Sequence, residues 1–423
     1  MSLPRYPSYK DSGVKWLGEV PEHWSVQALK HIVATPITDG PHETPDFIDE
    51  GVPFASAESV SSGRLDFAKV RGFISPTDHE RFSQKYKPRR NDIFMVKSGA
   101  TTGVTAIVDT DIDFNIWSPL AAIRCDAVTC PRFVLNYLRS RSFLDAVTLG
   151  WNFGTQQNIG MGVIENLSLA TPPCGEQEII ASFLDRETGK IDALVEEQKR
   201  LIDLLKEKRQ AVISHAVTKG LNPIAPMKDS GVDGLANVPR HWKATVIKRF
   251  STLQRGHDLT DTERTEGPYP VVTSGGINGT HGSFKASGPG VVTGRYGSTG
   301  RLFFIDEDFW PHNTSLYVSD FHGNHPRFVW YALQTVDFAA HSAKAAVPGI
   351  DRNDIHVLPI AVPPTDEQAA IAAYLDTEAN RFDTLIAEAT HAIDLLQERR
   401  IALISAAVTG KIDVRGLAKE DAA

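Results

Sequence analysis

Residues 81–90, RFSQKYKPRR, form a dense basic run with two aromatic rings and no acid. Its cations are Arg81, Lys85, Lys87, Arg89 and Arg90. Arg and Lys side chains of this kind neutralise nucleic-acid phosphates. A solvated face of a globular domain is the alternative interpretation of such a run. We therefore expect either a phosphate-contacting surface or an ordinary charged face here.

Two short segments, KSGATTG (97–103) and RYGSTG (295–300), follow strand-like runs and suggest hairpin tips. Arg and Lys can make two-point contacts with guanine in the major groove of DNA, and Asn and Gln with adenine. The first set of candidate base contacts is Lys97, Ser98, Gln156 and Gln157. The second set is Asn278, Arg295, Tyr296, Ser298, Thr299 and Arg301. For each residue taken singly, a structural or solvent-facing role is the alternative.

The chain shows none of the expected patterns for chemistry on DNA. An adenine methyltransferase would carry a polar residue before a Pro-Pro pair and an aromatic after it. The two Pro-Pro pairs read TPPCG and VPPTD instead, and no G-x-x-x-x-G-K-(S/T) loop for ATP occurs. The three cysteines lack the second close-spaced pair of a zinc site, so we expect buried thiols. These observations predict a binding chain without catalytic or metal-ligating residues.

Two parts of the chain are written twice. KDSGVKWLGEVPEHW (10–24) returns as KDSGVDGLANVPRHW (228–242), 218 positions later. The segments 172–219 and 363–410 also match, at an offset of 191 without a gap. The matched pairs include Glu176/Glu367, Gln177/Gln368, Asp185/Asp376, Asp192/Asp383 and Arg209/Arg400. The chain is thus a tandem in which a short motif, a middle segment and a helix occur twice, and the HW pairs at 23–24 and 241–242 suggest packing residues where each middle segment begins.

The second matched part of each copy predicts a long amphipathic helix. Its apolar residues recur at heptad spacing, and a Pro-Pro pair precedes it. The first copy carries Leu184, Ile191, Leu205 and Val212 in one row and Leu194 and Leu201 in another; the second carries Leu375, Phe382, Leu396 and Leu403, with Leu385 in the second row. One such helix cannot bury its stripe alone, so we expect the two to pack as an antiparallel coiled pair. Packing of each helix on its own domain is the alternative.

The middle segments are rich in Gly, Pro, Ser, Thr and aromatics and predict mixed β structure with short helices near 132–140 and 327–335. The expected fold class is α+β, with two mixed α/β domains separated by two long antiparallel coiled-coil helices in a pseudo-two-fold tandem repeat. The predicted boundaries are 1–24 and 221–242 for the motifs, 25–171 and 243–362 for the middle segments, 172–220 and 363–412 for the helices, and 413–423 for a tail.

The composition is that of an ordinary globular protein. The 423 residues are 41% hydrophobic, with a net charge of −8. Acidity of this kind argues mildly against nucleic-acid binding, but it is concentrated in residues 363–423. The chain lacks a signal-peptide core and an apolar run of the ~20 residues that a membrane span needs, so we expect a cytoplasmic protein without a membrane partner.

The paired motifs ending in PxHW, and the paired helices reading EQ…I…(F/Y)LD…ID.L and ending in IS.AVT(K/G), resemble the specificity subunit of type I restriction–modification enzymes. The resemblance covers nearly the whole chain. It implies that the middle segments are target recognition domains that each read half of a split sequence in double-stranded DNA. It also implies that the helices set the gap between the halves and hold two modification (methyltransferase) subunits.

In that family the modification subunit binds S-adenosylmethionine and methylates adenine, and a restriction and translocase subunit that uses ATP and Mg joins the assembly. The resemblance therefore implies that this chain binds no cofactor of its own. Three other interpretations stay open: a methylation-only assembly, a coiled-coil adaptor whose middle domains bind protein or glycan, and a self-contained restriction–methylation enzyme, against which the missing motifs argue.

Overall fold

The computed structural model describes residues 3–149, 152–153, 157–233, 235, 237–341 and 349–417. The described residues form two compact units. Unit 1 comprises those within 1–198 and 392–423, and unit 2 comprises those within 199–391. Each unit therefore contains one middle segment together with part of both long helices.

Unit 1 is built from short strands and short helices together with parts of the two long helices. Its strands are β1 Tyr9–Asp11, β2 Glu19–Pro21, β3 Ser25–Ala28, β4 Thr38–Asp39, β5 Val52–Ala55, β6 Gly72–Ile74, β7 Ile93–Val96, β8 Thr105–Ile107, β9 Asn115–Ile116, β10 Leu120–Ile123, β11 Asn152–Phe153, β12 Gln157–Asn158 and β13 Ser168–Thr171. Its helices are α1 Ala57–Val60, α2 Pro76–Ser83, α3 Pro131–Leu138, α4 Arg141–Leu149, α5 Met161–Asn166 and the first part of α6 Cys174–Lys219, with 3₁₀ turns at Leu29–His31 and Phe67–Lys69.

Unit 2 continues from the second part of α6. Its strands are β14 Met227–Lys228, β15 Val238–Pro239, β16 Lys243–Val246, β17 Thr252–Arg255, β18 Tyr269–Thr273, β19 Gly276–His281, β20 Gly290–Gly294, β21 Leu302–Ile305, β22 Trp310–Pro311, β23 Ser315–Asp320 and β24 Pro359–Val362. Its helices are α7 Ile247–Phe250, α8 Pro326–Leu333, α9 Arg352–His356 and the first part of α10 Thr365–Val408, with a 3₁₀ turn at Ala339–His341.

The two units share one strand plan. A four-stranded sheet has the order β4-β10-β7-β8 in unit 1 and β17-β23-β20-β21 in unit 2. A three-stranded sheet has the order β6-β5-β9 in unit 1 and β19-β18-β22 in unit 2, with one parallel pair in each. The segments after each Pro-Pro pair form α6 and α10 as predicted, and the tandem α+β fold is confirmed.

Within each unit, α6 and α10 pack antiparallel. In unit 1, Ile180 and Leu184 of α6 share a core with Ile404 and Val408 of α10. In unit 2, the core holds other parts of the same helices: Ile213, Ala216 and Val217 of α6 with Ile371, Ala372 and Leu375 of α10. Ion pairs continue this antiparallel register: Asp192 contacts Arg400 at 2.9 Å in unit 1, and Arg209 contacts Asp383 at 2.7 Å in unit 2.

The less exposed stripe of each helix follows heptad spacing. On α6 it runs through Leu184, Thr188, Ile191, Val195, Gln198, Ile202, Leu205, Arg209 and Val212. On α10 it runs through Leu375, Ala379, Phe382, Ile386, Ala389, Ile393, Leu396, Arg400 and Leu403. The first predicted row lies on this stripe in both copies.

The predicted second row requires correction. Leu194, Leu201 and Leu385 are 45%, 43% and 37% exposed. Each lies one position before a stripe residue, namely Val195, Ile202 and Ile386, and one position is a rotation of about 100° around a helix. The cysteine expectation is also wrong for Cys174, which is exposed at the first turn of α6, while Cys125 and Cys130 are half-buried.

Candidate nucleic-acid interface

The repeated motif and the helix meet at a buried glutamate. In unit 1, Glu176 in the first turn of α6 accepts hydrogen bonds from the Tyr6 hydroxyl at 2.7 Å and the Trp24 indole N–H at 3.0 Å. The His23 ring lies 2.8 Å from its other oxygen. Trp24 is fully buried. Burial, followed by the neighbouring Glu176 carboxylate, raises the pKa of Tyr6 far above its usual value.

Unit 2 repeats this arrangement with one partner fewer. Glu367 accepts from the Trp242 indole N–H at 3.1 Å and lies 2.7 Å from the His241 ring. The position that matches Tyr6 is Ile224, which is 86% exposed. Both histidines of the HW pairs are thus bound to a structural carboxylate, and both tryptophans are core residues, which agrees with the predicted packing role.

Two further repeated residues attach the long helices to the short helices α3 and α8. Gln177 accepts from the N–H of Cys130 before α3, and Gln368 accepts from the N–H of His325 before α8, both at 2.8 Å. Neither short helix has a side-chain cap of its own, so the glutamine of the long helix satisfies an N–H at its start.

An aspartate farther along each long helix binds the same short helix. Asp185 pairs with Arg132 of α3 at 2.8 Å, and Asp376 pairs with Arg327 of α8 at 2.7 Å. We call the repeated contacts of the glutamate, the glutamine and this aspartate the frame. The frame holds the first middle segment on α6 and the second on α10 through equivalent contacts.

The frame brings the two predicted hairpin tips into equivalent places. Lys97 follows β7 and Arg295 follows β20. The Lys97 N–H donates to Pro119 O and its carbonyl accepts from Ile159 N–H, both at 2.8 Å. The Arg295 N–H donates to Thr314 O at 2.9 Å and its carbonyl accepts from Ile350 N–H at 3.0 Å. The sequence-based pairing of the two tips is therefore correct in the structure.

The edge strand beside each tip supplies a second pair of equivalent residues. Asp39 ends β4 opposite Ala121, and Arg255 ends β17 opposite Leu316. A glycine follows each, Gly40 and Gly256, and an added Cβ would lie about 2 Å from a carbonyl oxygen at either position. The two edges thus place a residue at the same point, but the residue is an acid in unit 1 and a base in unit 2.

In unit 1 the tip is neutralised internally. The Lys97 ammonium lies 2.7 Å from one oxygen of Asp39, and Lys85 lies 2.6 Å from the other. The side chains of Lys97 and Asp39 are only 13% and 9% exposed. Burial opposes the charge of Asp39, but the two lysines outweigh it and hold the pKa of Asp39 below its usual value.

In unit 2 the same positions hold two arginines. Arg255, Arg295 and Arg352 line one recess of about 410 Å³ together with Tyr296 and Asp351. The Arg295 guanidinium lies over the Tyr296 ring, 4.6 Å from its centre. Arg255 contacts Asp258 at 3.2 Å, and both side chains are more than half exposed. Among the described residues no carboxylate forms an ion pair with Arg295 or Arg352. We call this the arginine recess.

The strand beneath the recess depends on a buried histidine. His356 of α9 accepts the N–H of Leu253 in β17 at 2.9 Å through Nε2. Burial lowers the pKa of His356, and the cations of Arg352 and Lys248 lower it further against the opposing effect of Asp351. A neutral His356 therefore holds the strand that ends at Arg255.

The basic run 81–90 is largely ion-paired. The pairs are Arg81 with Glu43 and Asp78, Lys85 with Asp39, Lys87 with Asp113, and Arg90 with Asp111 through two hydrogen bonds. Phe82 and Tyr86 are buried, and Tyr86 donates to the buried Asp92 at 2.5 Å. The rings thus anchor the run. Within the described residues, Arg89 is the member whose exposed side chain has no acidic partner.

The remaining candidates are dispersed over both units. Ser98 forms an isolated backbone β-bridge with Asn158 at the unit 1 tip, and Thr299 forms one with Gly294 at the unit 2 tip. Ser298 and Asn278 are exposed, and Arg301 lies over the Phe303 ring. Gln157 lies in β12, whose backbone alone is described there, and Gln156 lies outside the described residues. The structure groups Arg295, Tyr296 and Thr299 at one tip and Lys97 and Ser98 at the other.

Sequence reasoning missed Asp39, Arg255 and Arg352. Asp39 lies 58 positions before Lys97, and Arg255 lies 40 before Arg295. The available signal was a short polar-Gly pattern, DGPH against RGHD, at similar distances after the two HW pairs.

The described residues also bear on two other kinds of site, a metal centre and a membrane span. They contain no group of three or more His, Cys, Asp and Glu side chains arranged to hold a metal ion. None of the described helices is long and apolar enough to cross a membrane.

Comparison with known proteins places these features in context. The family model described as "Type I restriction modification DNA specificity domain" matches residues 21–203 and 239–393. A protein of Methanocaldococcus jannaschii assigned as the specificity subunit of the type I restriction enzyme MjaX is 23% identical over 56% of this chain. The EcoKI specificity subunit of Escherichia coli K12 is 22% identical over 47% of it.

These matches span 56% and 44% of the two relatives, so the chain spans about half the length of the curated relatives it matches. A solved chain from a study of complex assembly and conformational transition of the type I R-M system superposes with a TM-score of 0.71 at 14% identity. That superposition covers 92% of this chain and 98% of the solved one, and it shows the shared fold.

Proposed function

The chain belongs to the family of type I restriction modification DNA specificity domains, of which it carries two, and from this premise we propose that it selects a split DNA sequence for a methyltransferase complex. Each unit would contact one half of the target. One observation carries the proposal: two units with the same frame present different chemistry at equivalent hairpin tips. A frame that is kept while the residue beside the tip changes from Asp39 to Arg255 is what two readers of different sequences require.

We propose further that the chain itself performs no chemistry. Its two repeated histidines are bound to Glu176 and Glu367 beside buried tryptophans, which supports a structural role for both. Adenine methylation would then be performed by a partner that binds S-adenosylmethionine, and cleavage by a restriction and translocase partner that uses ATP and Mg.

The partner modification subunits, two by the family resemblance, would dock on apolar surface of the helices. In unit 2, Leu201 and Leu204 of α6 are 43% and 52% exposed, and Leu385 of α10 is 37% exposed. Leucines at these spacings on a helix suit contact with a partner helix. Glutamate at Leu201 and Leu204 together should prevent co-purification of the partner while leaving the chain folded.

The experiment that tests the proposal is a genome-wide map of methylated adenine in cells that carry the operon, with and without this gene. We expect a split motif to be methylated only in the cells that carry this gene. Identical maps, in cells where the chain co-purifies with a methyltransferase, would refute the proposed function.

A further inference from the structure

The starting observation is the difference in charge between the equivalent positions of Asp39 and Arg255. Both residues end an edge strand next to the tip of a central hairpin, and both precede a glycine whose Cβ position is occupied by a carbonyl. In unit 1 the acid at this point pairs with Lys97 and withdraws it from solvent. In unit 2 the base at this point leaves Arg295 without an acidic partner among the described residues.

An unneutralised group of arginines can take its counter-charge from a bound anion. Arg255, Arg295 and Arg352 line the same recess, and Asp351 is the acid that lines it with them. Arg255 is also the partner of Asp258, but an ion pair between two side chains this exposed contributes little. The recess therefore has excess positive charge that an anion can balance.

The shape of the recess and the guanidinium groups define the ligand. Guanidinium groups bind phosphate through paired hydrogen bonds, and Tyr296 under Arg295 restricts the orientation of that side chain. Base edges are read in the groove by groups that project from the protein, whereas phosphates project from the DNA and can enter a recess of about 410 Å³.

We propose that the arginine recess of unit 2 binds a backbone phosphate of the DNA, and that unit 1 lacks this contact because Asp39 replaces the arginine. The inference rests on the proposed function and adds a specific phosphate site to it. Unit 2 would then contribute a sequence-independent anchor at this point.

Salt dependence of binding tests the proposal. The full chain is used in the complex purified from cells that carry its operon. It is titrated against a 40-base-pair duplex that contains the motif found by the methylation map, and against a duplex of scrambled sequence. Each lost phosphate contact lowers the slope of log Kd against log salt by about 0.9. We expect Arg295→Gln to lower this slope by about 0.9, the equivalent of one phosphate contact. It should also weaken binding of both duplexes on the order of tenfold.

A sharper variant is Arg255→Asp, which copies the acid of unit 1 and gives Arg295 an internal partner. It should reduce the slope at least as much as Arg295→Gln, and the methylated motif should stay the same. Arg381→Gln is the matched control, because Arg381 is a 71% exposed arginine of unit 2 that lies on α10 and does not line the recess. It should leave the slope unchanged.

Three results would overturn the proposal. An unchanged slope for Arg295→Gln and Arg255→Asp would show that no phosphate binds there. A loss confined to duplexes with one particular base would show that the recess reads sequence instead. Absence of DNA binding by the wild-type complex would remove the proposed function together with this site, and it is visible before any variant is made.

Discussion

Replacement of Glu176 by alanine tests whether the repeated motif exists to satisfy one buried carboxylate. Glu176 is 8% exposed and binds Tyr6, His23 and Trp24. Removal of the carboxylate leaves the Tyr6 hydroxyl and the Trp24 N–H buried without an acceptor. An unsatisfied buried donor costs about 1–3 kcal/mol, so we expect the free energy of unfolding of unit 1 to fall by about 3 kcal/mol.

The equivalent substitution in unit 2 should have a smaller effect. Glu367 is 29% exposed, its histidine partner His241 is 52% exposed, and no tyrosine matches Tyr6. Water can replace part of what Glu367→Ala removes, so we expect a loss of about 1 kcal/mol. The difference between the two copies follows from burial and from the missing third partner alone.

Differential scanning calorimetry of the full chain measures both effects. A loss of 1 kcal/mol lowers the unfolding midpoint by about 2–4 °C in domains of this size. We therefore expect a decrease of roughly 6–12 °C for Glu176→Ala and roughly 2–4 °C for Glu367→Ala. Glu178→Ala is the control, because Glu178 is exposed two positions later on the same helix. Equal decreases for the two variants, or a Glu178 effect as large as that of Glu176, would refute the reasoning.

Three further outcomes are expected. Asp39→Asn should destabilise unit 1 by about 3 kcal/mol in denaturant titrations, because it leaves a largely buried lysine without its counter-charge, and an unaffected midpoint would contradict the ion pair. The pKa of His356 is lowered on folding, so His356 stabilises unit 2 at pH values above its unfolded pKa of about 6.5, and this contribution is lost as pH falls through the folded pKa. Calorimetry between pH 7.5 and 5 should show the unfolding midpoint of unit 2 decreasing, and His356→Gln should make that decrease smaller. Ile191→Ala should cost about 2–4 kcal/mol and Leu194→Ala less than 1 kcal/mol, and the reverse order would contradict the position of the helix stripe.

Much of the architecture could be predicted because the chain supplies two copies of the same information. The repeated Pro-Pro pairs mark the starts of α6 and α10, and the paired glycine-rich segments mark the two tips. The prediction was wrong locally: heptad spacing fits Leu194 and Leu201 as well as their neighbours, but Val195 is the buried residue and Leu194 is exposed. Helical phase, which decides burial, differs by one position between them.

The details of the candidate site could not be predicted for a different reason. The partner of Lys97 is an aspartate on another strand, 58 positions earlier. Nothing in a single sequence connects these residues until the strand register is known. The basic run 81–90 shows the same limit, because its charge pattern is visible in sequence, while the acids that pair with it come from positions 39, 43, 78, 111 and 113.

The two copies show which positions the fold needs and which it leaves free. The residues that match between copies, such as Glu176 and Glu367, bind within the frame and hold the middle segments on the long helices. The residues that end the edge strands beside the tips, Asp39 and Arg255, occupy the same backbone position with opposite charge and share no frame contact. Unit 1 has an internal ion pair at this point and unit 2 has a cationic recess, while the strand order is the same in both. Divergence of the proposed DNA contacts between the copies is therefore compatible with a constant frame, and this is the property that the proposed function needs.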